Sequence, residues 1–306
     1  MMQHQRGEAH DLVLSSGFLA FAGHSGFLQA VEDSGVKVAG VMGTSAGALA
    51  GSLYCAGYTP RQVAMQLSRD APIQMLQLSM QPWRGGALSL QGVIDRLRDL
   101  LPPRFEDLQR EFAVGVVTSD GRHVLVDSGP LPEAVAASAA VPFMFQAVDV
   151  PGFGSSNPLR DGGVVDRIGL RAWRDRRRLQ ISQQLLHERS SQRPSSPSSS
   201  SSTLLSTISS SASAAAAAAS TLLLPPPAIV HVITRSSPFS GADDTAATGE
   251  SNIVVIRSPK SGVNFFSLGN FEDQMSASYR RARPQVDQIR RESRSPDAAR
   301  RAVTAA

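Results

Sequence analysis

The sequence predicts an α/β domain built on a parallel sheet covered by helices, and three observations carry that prediction. The first sixty residues alternate strand, helix, strand, helix. A tight Gly-Thr-Ser-Ala-Gly turn, residues 43–47, joins the second strand to the second helix. Two further apolar runs, Ala228–Thr234 and Ile253–Ile256, add buried strands late in the chain.

Taken in order, Asp11–Ser15 (DLVLS) is a short apolar run that opens straight after a polar terminus, which is the pattern of a buried strand. From Phe21 to Asp33 the apolar residues Phe21, Ala22, Phe27, Leu28 and Val31 recur at helical spacing. Val36–Met42 is the second strand. The small-residue helix from Ala46 toward Ala56 stops at Gly57, a residue suited to a left-handed cap. Thr59-Pro60-Arg61-Gln62 then opens a third helix: threonine caps, proline takes the first helical position and Gln62 completes a capping box. Pro72–Leu88 has no clear period and reads as a surface excursion, whereas Ser89–Leu101 is an amphipathic helix. Phe112–Thr118 and His123–Asp127 form a hairpin around Ser119-Asp120-Gly121-Arg122. Leu131–Ala140 is a helix of small residues. Short strands at Phe145–Val150 and Asn157–Arg160 lead into Asp161-Gly162-Gly163.

Past Ile168 the composition changes. A helix runs from Leu170 through the first arginines, and the stretch from 180 to 227 is an Arg/Gln-rich and then Ser/Ala-rich insertion. Such sequence buries too little apolar surface to offset its ordering entropy, so disorder is expected there, with transient helix at Ala214–Ala219. The C-terminal helix is expected over Phe271–Arg283, followed by a charged, flexible tail over residues 284–306. Length alone admits two domains. These shifts instead divide the chain into one domain over residues 11–283, an insertion within it, and a tail.

Charge follows the same division. The net charge is +4, but residues 171–193 hold seven arginines against two acids and residues 280–306 eight arginines against three acids. The remainder is net negative. An anionic membrane surface is the partner such basic segments suggest, whereas nucleic acid is not expected, because they lack interleaved aromatics and any recognition motif. The lone cysteine, Cys55, excludes an intrachain disulfide and a Cys-based zinc site. No apolar run reaches the roughly 18 residues of a membrane span, and the polar N-terminus has no signal-peptide core. An intracellular protein, soluble or peripheral to a membrane, is expected.

Gly43-Thr44-Ser45-Ala46-Gly47 fits a nucleophile elbow: a strand-to-helix turn with small neighbours would expose Ser45 at the positive end of a helix. The same residues also suit a plain tight turn. A serine needs a base. Of the six histidines, His4 and His10 lie in the tail, His187 in the insertion, and His231 inside an apolar strand as a core residue. Neither His24 nor His123 lies on a late loop. A carboxylate acting directly on serine fits better, and Asp161, followed by two glycines that let the backbone turn sharply, is the outstanding candidate.

With those residues in place, the sequence resembles the patatin-like phospholipases, lipid acyl hydrolases with a Ser–Asp dyad. Four elements match in order: LVLSSGFLAFAGHSGFLQAVED, the Gly43–Gly47 motif, Ala137-Ser138-Ala139-Ala140-Val141-Pro142-Phe143, and Asp161-Gly162-Gly163. The resemblance covers Asp11–Leu170 and resumes over Ala228–Arg283. It implies a three-layer α/β/α sandwich, Ser45 as nucleophile, Asp161 as general base, a lipid or acyl-ester substrate of the phospholipid or galactolipid kind, and no cofactor or metal. The motif glycines are Gly43, Gly47, Gly162 and Gly163.

One element departs from the family. Its first loop is glycine-rich with a basic residue, whereas here it reads Ser16, Gly17, Phe18, Leu19, Ala20, Phe21. Backbone donors do not require glycine, so the expected oxyanion donors are the amides of Ser16, Gly17 and Phe18, with that of Ala46. A positive φ at Phe18 is costly. The altered loop keeps a second reading open, a non-catalytic lipid-binding or regulatory relative.

Overall fold

A computed structural model describes residues 9–80, 85–153, 157–191, 225–235, 241–243, 250, 252–264 and 266–294. The first part of the chain runs β1 (His10–Leu14), α1 (Phe21–Ser34), β2 (Val38–Thr44), α2 (Ala46–Cys55), α3 (Pro60–Ser68), β3 (Gln77–Leu78), β4 (Gly86–Ser89) and α4 (Gln91–Leu100). There follow β5 (Phe112–Val117), β6 (His123–Val126), α5 (Leu131–Ser138), β7 (Phe143–Phe145), β8 (Arg160–Asp161), α6 (Leu170–Ser191), β9 (Ala228–Ile233), β10 (Ile253–Ser258) and α7 (Phe271–Arg294). The chain divides into two compact units. One contains the described residues of 9–172 and 226–293, with all ten strands, and the other begins at Trp173.

The main sheet has the order β10-β9-β1-β2-β5-β6, and its first five strands are parallel. β1, β5 and β9 are buried along their whole length, which is why they read as mostly apolar runs rather than alternating ones, with His10, Asp11 and His231 as buried polar exceptions. Helices flank the sheet as in an α/β/α sandwich. α2 packs on β2 and β5, α5 on β5, and α1 on α2 and α3. The capping box at Thr59 and Gln62 is present. Burial of Cys55 at the end of α2 pushes its thiol well above the usual range.

β5 organises the region that matters most. β6 pairs with one edge of β5, from Val114 to Val117. The other edge is shared. β2 pairs with it as far as Thr44 opposite Gly115, and β8 then takes over with Asp161 opposite Val116 and Arg160 opposite Val117. The end of β2 and the residue Asp161 therefore lie side by side.

Several elements differ from the sequence expectation. The stretch 72–88 is not a plain excursion: β3 and β4 lie in it and join β7 in a three-stranded sheet. Strands this short hold too few residues to show alternation. The strand expected over Phe145–Val150 is instead β7, because the unforeseen edge of β4 takes residues 143–145; Gln146 N–H closes the pairing on the Leu88 carbonyl (2.8 Å). Val148 keeps only a single bridge to Leu159.

The flexible tail expected from 284 is helical to Arg294. Ala282, Val286 and Ile289 continue the buried stripe, Pro284 is exposed, and Arg283 pairs with Asp33 and Asp287. A proline on a solvent face forfeits one hydrogen bond whose carbonyl water can take, and the buried stripe outweighs that loss. α6 continues to Ser191, past the expected start of the insertion at 180. The Ser/Ala-rich stretch and Ala214–Ala219 lie outside the described residues.

Two histidines form a buried polar chain inside the domain. His24 Nε2–H donates to the Ser15 carbonyl (2.9 Å), which leaves its Nδ1 to accept from His231 Nδ1–H (2.9 Å). His231 Nε2 in turn accepts from the Ser258 hydroxyl (2.9 Å), so both rings are satisfied only when neutral. Burial lowers His24 from 6.5 to about 4 and His231 well below its usual value. The unfolded chain takes up these protons near pH 6.5 and the fold does not, so stability is full above that pH and is lost as pH falls toward 4. Asp161, pushed up to about 6, acts in the opposite sense as one group against two. His24 alone accounts for about 3 kcal/mol. Urea unfolding at about pH 7 and about pH 4.5 tests this: the midpoint is expected to drop, and an unchanged one would mean that the rings are not buried and neutral.

Candidate active site

The site begins at the turn after β2. Ser45 has φ 55° and ψ −116°, an uncommon conformation for a residue with a side chain, at the N-terminus of α2. The turn is possible because its neighbours are small. A Cβ on Gly47 would collide with the Leu14 carbonyl, and one on Gly43 with the Gly47 carbonyl. The Ser45 N–H donates to Ser138 Oγ (2.9 Å), whose own proton goes to the Gly115 carbonyl (2.7 Å). Ser138 thus ties the elbow to β5. The role of Ser138 is not legible in the sequence, where the only signal is a lone serine among alanines in a helix of small residues.

Ser45 and Asp161 come together. The Ser45 hydroxyl is hydrogen-bonded to the Asp161 side chain. Asp161 is 3 % exposed, and burial pushes its carboxyl up to about 6 against the lowering effect of two hydrogen bonds, from Ser45 and from the Gly163 N–H (2.7 Å). Its own amide is held by the Ala140 carbonyl (3.0 Å). Gly162 lies so close to β5 that a Cβ would strike the Gly115 carbonyl, and a Cβ on Gly163 would stand 2.6 Å from Ser16 Oγ. The loop after β1 therefore lies beside Asp161.

That loop differs from expectation at two points. The Ser16 N–H donates to the Arg167 carbonyl (2.7 Å), which removes it from the expected oxyanion donors. The left-handed residue is Leu19 (φ 48°), so Phe18 escapes the strain expected of it. The Phe18 carbonyl accepts from the Ser261 hydroxyl. The Gly17 amide has no acceptor among the described residues. Ala46 opens α2 and packs with Ala20, Phe21 and Ile233, which brings the loop against the elbow. Phe18 is partly exposed, and Phe143 is 88 % exposed at φ 68°. Among the described residues no three His, Cys, Asp or Glu side chains converge as metal ligands do, and no helix is long and apolar enough to cross a membrane.

Residues 12–172 match the family model of the patatin-like phospholipases. Uncharacterized NTE family proteins of Mycobacterium tuberculosis and Mycobacterium bovis are 30 % identical over 161 residues, 51 % of this chain and 43 % of each relative. The match thus spans less than half the length of those relatives. An uncharacterized Bacillus subtilis protein, YqhO, is 23 % identical over 60 % of this chain and 73 % of its own. Among solved structures, VipD from Legionella pneumophila has a TM-score of 0.44 at 13 % identity, over 94 % of this chain and 67 % of that one. The type III effector ExoU has a TM-score of 0.46 at 13 % identity, over 95 % and 56 %.

Replacing Ser138 tests how the turn is held. Ser138→Ala leaves the Ser45 amide and the Gly115 carbonyl without their partner, and a lost buried hydrogen bond of this kind costs about 1–3 kcal/mol. Chemical denaturation should register that loss; a variant as stable as the parent would mean that the elbow is not held through this hydroxyl.

Proposed function

Because the chain belongs to the patatin-like phospholipase family, we propose that it is a serine lipid acyl hydrolase in which Ser45 is the nucleophile and Asp161 its base. The observation that carries this reading is the hydrogen bond from the Ser45 hydroxyl to a buried carboxyl, made at the N-terminus of a helix.

Asp161 takes the Ser45 proton as Oγ attacks the ester carbonyl. The oxyanion is held by the amides of Gly17 and Ala46, with Phe18 adjoining, and by the positive end of α2. As the tetrahedral species collapses, Asp161 returns the proton to the leaving alcohol and an acyl group stays on Ser45. Asp161 then draws a proton from water, which attacks the acyl-enzyme and releases a fatty acid. The exposed rings of Phe18 and Phe143 suit an acyl chain and a lipid surface. Phospholipids and galactolipids are the substrate classes this reading favours.

Ser45→Ala and Asp161→Asn are each expected to lower turnover of phospholipid vesicles and short-chain esters by about a thousandfold or more. Unchanged turnover in both rejects the dyad. A fluorophosphonate separates this reading from a non-catalytic relative, since only an activated Ser45 is labelled. Asp161 works as a base only when ionised, so kcat/KM is expected to rise with pH to about 6 and level off above it. A profile flat through that range would show that no group of this kind governs the reaction.

A further inference from the structure

Arg167 is 1 % exposed, and its guanidinium ends behind the loop that leaves β1. Nη2 donates to the carbonyls of Ser16 (3.3 Å) and Ile233 (2.6 Å), and Nη1 pairs with Asp243 (2.5 Å). The backbone of the same residue holds the other side of Ser16, whose N–H donates to the Arg167 carbonyl (2.7 Å). The Arg167 N–H is itself fixed on the Ala242 carbonyl (3.0 Å). The Ser16 carbonyl also accepts the Ser15 hydroxyl (3.0 Å).

The Ser16 carbonyl and the Gly17 N–H are the two ends of one peptide group. In a trans peptide they point in opposite directions, so a cation on the oxygen turns the N–H away from itself. The same cation draws electron density toward the oxygen and makes the N–H a stronger donor, as hydrogen bonds in a chain polarise one another. Burying a guanidinium is costly, and a neutral donor would suffice merely to anchor a carbonyl. Where the resemblance leads one to expect a basic residue in the loop, this chain has Ala20, and a cation reaches the loop from 151 residues away in sequence.

We propose that Arg167 is a positioning residue for the Ser45 site: it orients and polarises the Ser16–Gly17 peptide so that the Gly17 N–H is a fixed, strengthened donor to the developing oxyanion. The proposal rests on the reading of Ser45 as nucleophile. It departs from the family's glycine-rich loop by placing the preorganising charge outside the loop, on the segment that follows Asp161-Gly162-Gly163.

The test compares wild type, Arg167→Lys and Arg167→Met. It measures ester kinetics, the rate of fluorophosphonate labelling, and the Gly17 amide proton shift in glycine-labelled protein. Loss of the guanidinium is expected to lower kcat about tenfold with KM within about twofold. Labelling should slow in parallel, the Gly17 proton should move upfield, and lysine, a point charge without the fork, should fall in between. A folded Arg167→Met protein with wild-type kcat and an unmoved Gly17 proton overturns the proposal. Should Arg167→Met fail to fold, Arg167→Lys decides on the same readouts, and wild-type values there overturn it equally. A wild type inert toward both esters and fluorophosphonate overturns the hydrolase reading and the catalytic use of this peptide with it, while the Gly17 shift still reports whether Arg167 polarises the group.

Discussion

One edge of β5 is shared by two strands, and the geometry of the site depends on that division. β2 occupies the edge as far as Gly115 and β8 occupies the next two residues. Residues held on successive rungs of a ladder have little freedom to drift apart, so the distance between the elbow and Asp161 is set by strand spacing and not by loop conformation. Gly115 is the hub. Its carbonyl takes the Ser138 hydroxyl that holds the Ser45 amide, and Gly162 packs against the same carbonyl. Two loops distant in sequence are thereby referenced to one peptide group.

Behind the loop that follows β1, the fold accepts buried polar groups it could have done without. Consecutive carbonyls are held from within, Ser15 by the His24–His231 pair and Ser16 by Arg167 and the Ser15 hydroxyl. The Ser15 hydroxyl also accepts the Ile233 N–H (2.9 Å), which stitches the loop to the end of β9. With its carbonyls engaged on the inner side, this short run gains the fixed backbone that a glycine-rich loop would otherwise have to obtain in another way.

What the sequence makes legible are features with a local signature. The buried strands, the capping box at Thr59, the strand–turn–helix around Ser45 and the glycines after Asp161 each depend on residues close together in the chain. What escapes are features decided by distant partners. β3, β4 and β7 are too short to show a period, and they exist because they pair with one another. The continuation of α7 past Pro284 depends on a buried stripe that meets the rest of the core. The Ser16 amide reads as a free donor until the Arg167 carbonyl is seen opposite it, and Ser138 reads as one more small residue until the Ser45 amide is seen beside it.

The order of the strands along the chain also has a consequence for synthesis. The elbow is encoded in the first sixty residues, but the strand that carries Asp161 comes a hundred residues later, and β9, which supports the loop beside it, later still. Pairing between such distant segments is the slow part of folding. A growing chain thus presents Ser45 long before Asp161 can reach it, and the two are not held side by side until the sheet has been filled from both sides. The juxtaposition of Ser45 and Asp161 is therefore a late product of assembly, and its presence reports that strands from both halves of the chain have found their places.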